Sequence, residues 1–325
     1  MIGLSDEAIG RLRAVANWPE FESERYTVSG EIGRGGMGTV YAAIDTALGR
    51  EVALKVSNTV ASAAFERRLA AEAKILARLE HPGIVPVHDV GHLADGRLFY
   101  VMKLVHGRTL RDHLQHASDL SDRLRIFERI CEAVAFAHAH RILHRDLKPD
   151  NVMIGSFGEV MVMDWGVATA LSSPGDGGGE DPPGTVLGTH GFMAPEQARG
   201  ELDQLDERTD VYGLGAILFA LLTRQETPIA TGTPALAALA ASPAIPRPLR
   251  SICACAMAAN PVDRYRSAAA LGDDVARYRA GQAVHAHRES AFERAARLAT
   301  VYRTPIFLVL AYMIMRALVA LTVGR

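Results

Sequence analysis

The chain reads as an α+β protein in two lobes: a small antiparallel β-sheet lobe with one helix, a larger helical lobe, and a C-terminal hydrophobic helix. Three observations predict this. Strand-like runs crowd the first third and helix-like runs fill the remainder, the segregated order of α+β folds. At 325 residues the chain exceeds what one hydrophobic core usually organises, so two lobes with a cleft between them satisfy the limit. Residues 144–151, HRDLKPDN, gather a carboxylate, a cation and an amide into one short loop, a concentration of chemistry that needs such a cleft.

Taken in order, residues 5–16 read as a short amphipathic helix ahead of the first lobe. Strands are predicted at 26–33, 38–45, 50–57, 85–92 and 98–103, where β-branched and aromatic residues alternate with polar ones. Between the third and fourth, SAAFERRLAAEAKILARL (62–79) carries strong helix formers with apolar residues at helical intervals. Asp95-Gly96 is a hairpin signal between the last two strands. A long helix over 121–140 delivers the 144–151 loop, and short strands near 152–154 and 160–163 flank Ser156–Gly158. Helices follow at 208–223, 247–258 and 267–280. No internal repeat is detectable.

Composition narrows the function classes. The net charge of −2 gives no global electrostatic case for nucleic acid. Cys131, Cys253 and Cys255 cannot build a disulfide framework and fit a reducing compartment. Cys253 and Cys255 lie in the apolar run SICACAMA, which reads as a packed helix rather than a metal site, since no nearby pair completes a ligand set. Residues 1–20 carry acids and lack a continuous apolar core, unlike a signal peptide.

The chemistry-bearing motifs point to phosphoryl transfer. That reaction needs a group to orient the acceptor hydroxyl, a counter-charge for the moving phosphate and oxygen ligands for Mg²⁺. Asp146, Lys148 and Asn151 supply these types at the spacing H-R-D-x-x-x-x-N. Gly33-Arg34-Gly35-Gly36-Met37-Gly38-Thr39-Val40 fits G-x-G-x-x-G-x-V, where glycines let backbone N–H groups approach phosphate oxygens. Dinucleotide-binding folds use a similar pattern, but there the glycines open a helix. Here the strand-like run Thr39–Ile44 follows, which makes a flap over phosphates. In Val52-Ala53-Leu54-Lys55 the alternation turns Lys55 toward the cleft; the alternative is a solvated lysine at a strand end. Glu66 and Glu72 are both candidate partners for Lys55 on the 62–79 helix. Asp164-Trp165-Gly166 offers a further metal-binding carboxylate, and the Trp165 N–H needs a partner if buried.

From about Tyr26 to Arg279 the chain resembles a bacterial Hanks-type (eukaryotic-like) serine/threonine protein kinase. The motifs fall in the family order: glycine loop, Lys55, Glu72, HRDLKPDN, Asp164-Trp165-Gly166, GTHGFMAPEQ, TDVYGLGAILF and NPVDRY. The resemblance implies a two-lobed protein kinase-like fold. The kinase domain would cover 26–280, with an N-lobe over 26–104 and a C-lobe over 105–280. A helical extension over 1–25 would precede it, and a basic juxtamembrane helix over 281–304 would follow. It implies ATP and Mg²⁺, with Mn²⁺ as an alternative, and protein substrates bearing Ser or Thr hydroxyls, since Lys148 in its D-L-K-P context is of the serine/threonine type.

By the same resemblance Asp146 orients the hydroxyl and takes its proton, Lys148 stabilises the phosphoryl group, and Asn151 and Asp164 hold magnesium. Lys55 holds the α and β phosphates and is fixed by Glu72, which family spacing to His81-Pro82 favours over Glu66. The glycine loop contributes Gly33, Arg34, Gly35, Gly36 and Gly38. Met102 falls at the gatekeeper, and adenine would pair with backbone groups of Lys103 and Val105 between Val40, Ala53 and Met153. Arg264 would pair with Glu196 of Ala194-Pro195-Glu196. Arg145 would receive a phosphorylated activation segment. There Thr185 is the favoured phosphosite, with Glu180 or Asp181 as permanent negative charge the alternative, while Thr189 contacts Asp146 and Lys148. Two departures stand out: Trp165 replaces the family's Phe, and the Ala/Pro-rich stretch after TDVYGLGAILFALLTR is shorter than usual, which bears on substrate recruitment. A pseudokinase scaffold and a small-molecule kinase of related fold are the competing readings. The intact Lys55, Asp146, Asn151 and Asp164 disfavour the first, and GTHGFMAPEQ disfavours the second.

The segment 305–323, PIFLVLAYMIMRALVALTV, is long enough to cross a bilayer. Its apolar residues, at about −0.3 to −0.6 kcal/mol each, offset Arg316 at about +2.5 to +3.5 kcal/mol, and Arg316 can snorkel. Arg288, Arg294, Arg297 and Arg303 precede it, so the positive-inside rule predicts a cytoplasmic kinase domain anchored to the inner membrane. The alternative is an amphipathic helix packed on the large lobe.

Overall fold

The computed structural model describes residues 25–35, 38–57, 63–116, 119–165, 169–170, 191–224, 237 and 239–323. The helix expected at 5–16 lies outside them.

The first lobe is a five-stranded antiparallel sheet in the order β1-β2-β3-β5-β4. Its strands are β1 (Tyr26–Gly35), β2 (Gly38–Asp45), β3 (Arg50–Val56), β4 (Val87–His92) and β5 (Leu98–Lys103). Period-two alternation sorts β3 by face. Val52, Leu54 and Val56 pack into an outer cluster with Tyr26, Tyr41, Phe99 and Val101. Ala53 turns the other way and joins the main core with Tyr100, Met102 and, from the helix α1 (Ala63–Arg78), Ala73 and Leu76. Lys55 shares that inner face, which is why a lysine in this strand meets the cleft rather than water. The β4–β5 turn needs Gly96 at φ +85°, a left-handed backbone that glycine adopts without a Cβ clash.

The second lobe begins with β6 (Gly107–Thr109) and α2 (Leu110–Leu114). The long α3 (Leu120–Ala139) follows, capped by Asp119, whose side chain accepts from the Asp122 N–H, the favoured N-cap chemistry. Then come β7 (Ile142–Leu143), β8 (Val152–Gly155), β9 (Val160–Val162) and β10 (Thr169–Ala170). The order β6-β8-β9 makes a three-stranded sheet, and β7 pairs with β10. The helical mass consists of α4 (Pro195–Ala198), α5 (Glu207–Thr223), α6 (Arg247–Ala256) and α7 (Ala268–Arg279). Every residue of α5 from Thr209 to Leu222 is buried, as expected of a helix apolar on all sides. Where α5 meets α6, a Cβ added at Gly215 would lie 2.8 Å from Ala256 Cβ, so that glycine is what lets the two helices approach.

The elements β6 and α2 escape the sequence reading because three and five residues are too few to show a period. In the segment 281–304, Ala291–Val301 forms a helix (α8), and Arg303 and Thr304 begin the next one. The turn before α8 is pinned by Asp274, whose carboxylate accepts from the N–H groups of His285 and Ala286 and from the Tyr265 hydroxyl. Cys131 and Cys253 are buried and all three cysteines are free.

The expected C-terminal membrane anchor is not supported. A helix does form over Arg303–Val323 (α9), but among the described residues no helix is long and apolar enough to cross a membrane.

Candidate active site

Three segments converge between the lobes. The first is the inner face of β3. Lys55 Nζ donates to both carboxylate oxygens of Glu72 on α1, at 2.9 and 3.0 Å, and to Asp164 Oδ1 at 2.8 Å. Glu72 also accepts from the Tyr100 hydroxyl at 2.8 Å. Both Lys55 and Glu72 are buried, so these hydrogen bonds are what makes burying the charges tolerable. Burial opposes the ammonium, yet Tyr100, Glu72 and Asp164 together carry Lys55 well above its ordinary value. Burial is also the largest influence on Glu72 and raises it, against the pull of Lys55. The side chain of Glu66 lies outside the described residues.

The second segment is the loop after β7. Lys148 Nζ donates to Asp146 Oδ2 at 2.7 Å, and Asn151 Nδ2 donates to Asp146 O at 2.8 Å and Oδ2 at 3.1 Å. The Asn151 amide oxygen is thereby turned away from Asp146. The third segment begins at Met163, whose N–H donates to Asn151 O at 2.8 Å, holding Asp164 beside the loop. Asp164 adopts φ +58° and Arg145 φ +67°, conformations that non-glycine residues take only where the surroundings enforce them. Partial burial raises Asp164, but Lys55, with His144 and Lys148, outweighs it and holds the carboxyl below its usual range. Asn151 and Asp164 thus present an amide and a carboxylate oxygen, the hard donors that Mg²⁺ takes when phosphates and water complete its shell.

What fixes this backbone is a residue the sequence reading did not single out. Asp210, buried on α5, accepts from the His144 N–H through Oδ2 and the Arg145 N–H through Oδ1, both at 2.8 Å. Its Oδ2 also lies 2.8 Å from His138 Nε2 on α3. Burial raises Asp210, but His138 and His144 prevail and hold it low. The signal in the sequence is an acid at the start of an otherwise apolar helix, in TDVYG. The His144 ring packs on Trp165 at 4.6 Å between centroids, and the fully buried indole donates its N–H to Val162 O at 3.4 Å. Trp165 therefore finds the partner its N–H requires.

The glycine loop divides by role. Gly35 and Gly38 face each other across the β1–β2 turn, and Gly36 lies outside the described residues. Among the described residues, a Cβ added at Gly35 would meet nothing within 4 Å, and at Gly33 only Val40 Cβ at 4.0 Å, which leaves room for a ligand beside them. At Gly38 it would sit 2.5 Å from Val56 O, so this glycine serves the approach of β2 to β3. The Arg34 side chain is bound to Glu31, which leaves its backbone as the part a phosphate could use. Val40, Met153, Lys103 and Val105 are half-buried, while Ala53 and Met102 are buried on paired positions of β3 and β5. The Lys103 N–H donates to Pro86 O at 3.1 Å, so its carbonyl is the group available to a base.

Farther down, Arg264 forms a two-pronged ion pair with Glu196 at 2.7 and 2.8 Å, both residues buried. Arg145 is buried, and its carbonyl accepts from Gln197 Nε2 at 2.5 Å. Thr185, Thr189, Glu180 and Asp181 lie outside the described residues.

A two-lobed fold with this set of lysines, carboxylates and an amide in the cleft defines a protein kinase domain, and the protein kinase domain family matches residues 26–240. The chain belongs to that family. It is 38% identical over 283 residues to serine/threonine-protein kinase PknB of Mycolicibacterium smegmatis, covering 82% of this chain and 44% of the relative. It is 36% identical over 267 residues to PrkC of Bacillus subtilis (78% and 40%), and 35% identical over 295 residues to PknD of Chlamydia caviae (79% and 31%). The chain thus spans less than half the length of these curated relatives.

Proposed function

We propose that this chain is a serine/threonine protein kinase that transfers the γ-phosphoryl group of Mg·ATP to protein hydroxyls. The observation that carries the reading is the paired arrangement in the cleft: Lys55 between Glu72 and Asp164, facing Asp146 with Lys148 and Asn151. Lys55, steadied by Glu72, holds the α and β phosphates, and the loop over Gly33–Gly38 covers them. Asp146 accepts a hydrogen bond from the acceptor hydroxyl and takes its proton as the oxygen attacks the γ-phosphorus and the bond to the β-phosphate oxygen breaks. Lys148 neutralises charge on the phosphoryl group in flight. Asn151 and Asp164 would hold magnesium, which supplies charge neutralisation between the phosphates. Little covalent work falls to the protein, so positioning and electrostatics carry the rate. Thr185 is the proposed site of autophosphorylation, with Arg145 its receiving cation.

Lys55→Met and Asp146→Asn are expected to abolish autophosphorylation with [γ-³²P]ATP while leaving the circular dichroism spectrum near that of the parent. Labelling of Asp146→Asn at the parental rate would remove Asp146 from its role. An ATP-turnover assay with protein and sugar acceptors side by side separates a protein kinase from a small-molecule kinase and from a scaffold.

A further inference from the structure

Beside the proposed base lies an ion pair that phosphoryl transfer does not need. Arg111, the second residue of α2, clamps Asp150 with two hydrogen bonds of 2.6 Å, Nε to Oδ1 and Nη2 to Oδ2. This is the fork-on-carboxylate geometry that makes Arg–Asp pairs strong and direction-specific. The two residues are 39 apart in sequence, yet β6 brings them together, because Thr109 pairs with Met153. Asp150 belongs to the 3₁₀ turn Pro149–Asn151. It adjoins Asn151, whose amide touches the Asp146 carboxylate at 3.1 Å. With adjacent Cα atoms about 3.8 Å apart, the path from the Asp150 carboxyl through Asn151 to a hydroxyl on Asp146 is at most about 16 Å, which a long basic side chain on one of the three extended residues before the acceptor can span. The pair is not sealed in the core: the Asp150 side chain is 39% exposed and that of Arg111 28%. Arg111 also keeps Asp150 ionised, holding its carboxyl below the usual range.

An ionised, accessible carboxylate at this distance from the acceptor would attract an arginine or lysine on a substrate peptide. Here that carboxylate is already matched by a cation of the chain itself. We infer that Arg111 sets peptide preference by occupying Asp150, so that this kinase gains nothing from basic residues beside the acceptor and takes Ser/Thr peptides with neutral or acidic flanks there. The inference rests on the kinase reading above and names the substrate class of the same site. The same pair could instead serve only to fasten α2 to the catalytic loop, and the two roles differ in what they do to specificity.

The test uses the full chain with Mg·ATP and a set of serine peptides carrying Arg, Ala or Glu at each of the three positions before the acceptor. In the parent, Arg peptides are expected to show kcat/KM no higher than their Ala counterparts. In Arg111→Ala the Arg/Ala ratio of kcat/KM rises roughly fivefold to tenfold at one of the three positions. The gain appears in KM rather than kcat and shrinks as salt is raised. Adding Asp150→Ala removes it. Arg111→Gln, which keeps length and loses charge, is expected to show the same rise and serves if the alanine variant folds poorly. A parent that already favours arginine more than threefold would overturn the inference. So would variants that lose activity equally on every peptide through kcat, which is the signature of a fastening role. Failure of the parent to phosphorylate any peptide or itself would instead strike the kinase reading.

Discussion

Replacing Asp210 tests how the catalytic loop is held. Its carboxylate takes the backbone N–H groups of His144 and Arg145 and faces His138, all in buried surroundings. Alanine would strand three donors, and a buried donor left without an acceptor costs about 1–3 kcal/mol. Some of that is recovered by water entering the space, so Asp210→Ala should lose about 3–5 kcal/mol, a large share of the roughly 5–15 kcal/mol that keeps a domain folded. Asp210→Asn keeps one acceptor oxygen and should lose about half as much. Activity should suffer separately, because the two N–H groups belong to the residues just before Asp146. A displacement of about 1 Å at the base lowers turnover on the order of a hundredfold. Urea denaturation followed by tryptophan fluorescence gives the stability term, and initial-rate kinetics with saturating ATP give the other. The pH dependence has a definite sign. The folded carboxyl lies below its unfolded value of about 3.9, so its contribution is complete above that pH and fades as pH falls through the lower folded value. The difference in urea midpoint between parent and Asp210→Asn should therefore be flat from pH 7 to 5 and narrow below 4. A loss under 1 kcal/mol with normal turnover would mean that the loop is held by other contacts and that Asp210 is incidental.

Three further substitutions separate roles that the sequence lumps together. Arg264→Ala leaves Glu196 buried without its partner and should lose about 3–5 kcal/mol; a calorimetric loss below 1 kcal/mol would show that Glu196 is neutralised some other way. Gly38→Ala forces a Cβ to 2.5 Å from Val56 O and should raise KM for ATP while destabilising the first lobe by about 1–3 kcal/mol. Gly35→Ala, with open space around it, should leave the thermal midpoint within about a degree, and equal behaviour of the two variants would contradict this division.

Periodic elements were readable because their signal is local. The alternation in Val52-Ala53-Leu54-Lys55 places Lys55 on the face opposite Val52 and Leu54, and the structure has that arrangement. Spacing within α1 left Glu66 and Glu72 as equals until the family order was used, since both sit on a helix that turns every 3.6 residues. The clamp at Asp210 was not readable by period. An acid in the first turn of a helix is well explained by the helix dipole, and nothing local distinguishes it from one that accepts bonds from residues 65, 66 and 72 positions away. The Arg111–Asp150 pair was hidden for the same reason, with the added difficulty that β6 and α2 are too short to announce themselves. At the C-terminus the helix was legible from apolar content, but apolar content alone does not say what surrounds it. The membrane-span expectation over 305–323 is not supported among the described residues.

The charges of the cleft also constrain how loss of function should be interpreted. Two lysines and two aspartates are matched within it, Lys55 with Asp164 and Lys148 with Asp146, and each pair joins a proposed phosphate-binding cation to a carboxylate with a different task. Lys55 is the strongest influence lowering Asp164. Lys55→Met therefore removes a phosphate contact and also the cation that most lowers the Asp164 carboxyl, while among the described residues Glu72 is left buried with only the Tyr100 hydroxyl as a donor. Three losses arrive with one substitution, so its effect on turnover is not the worth of a single lysine–phosphate bond. The groups act as a unit, and only a double-mutant cycle apportions them. If Lys55→Met and Asp164→Asn were independent, their effects on kcat/KM would multiply. Because the first already disables part of what the second removes, the double variant should fall well short of that product, and a fully multiplicative result would break the link between the two residues.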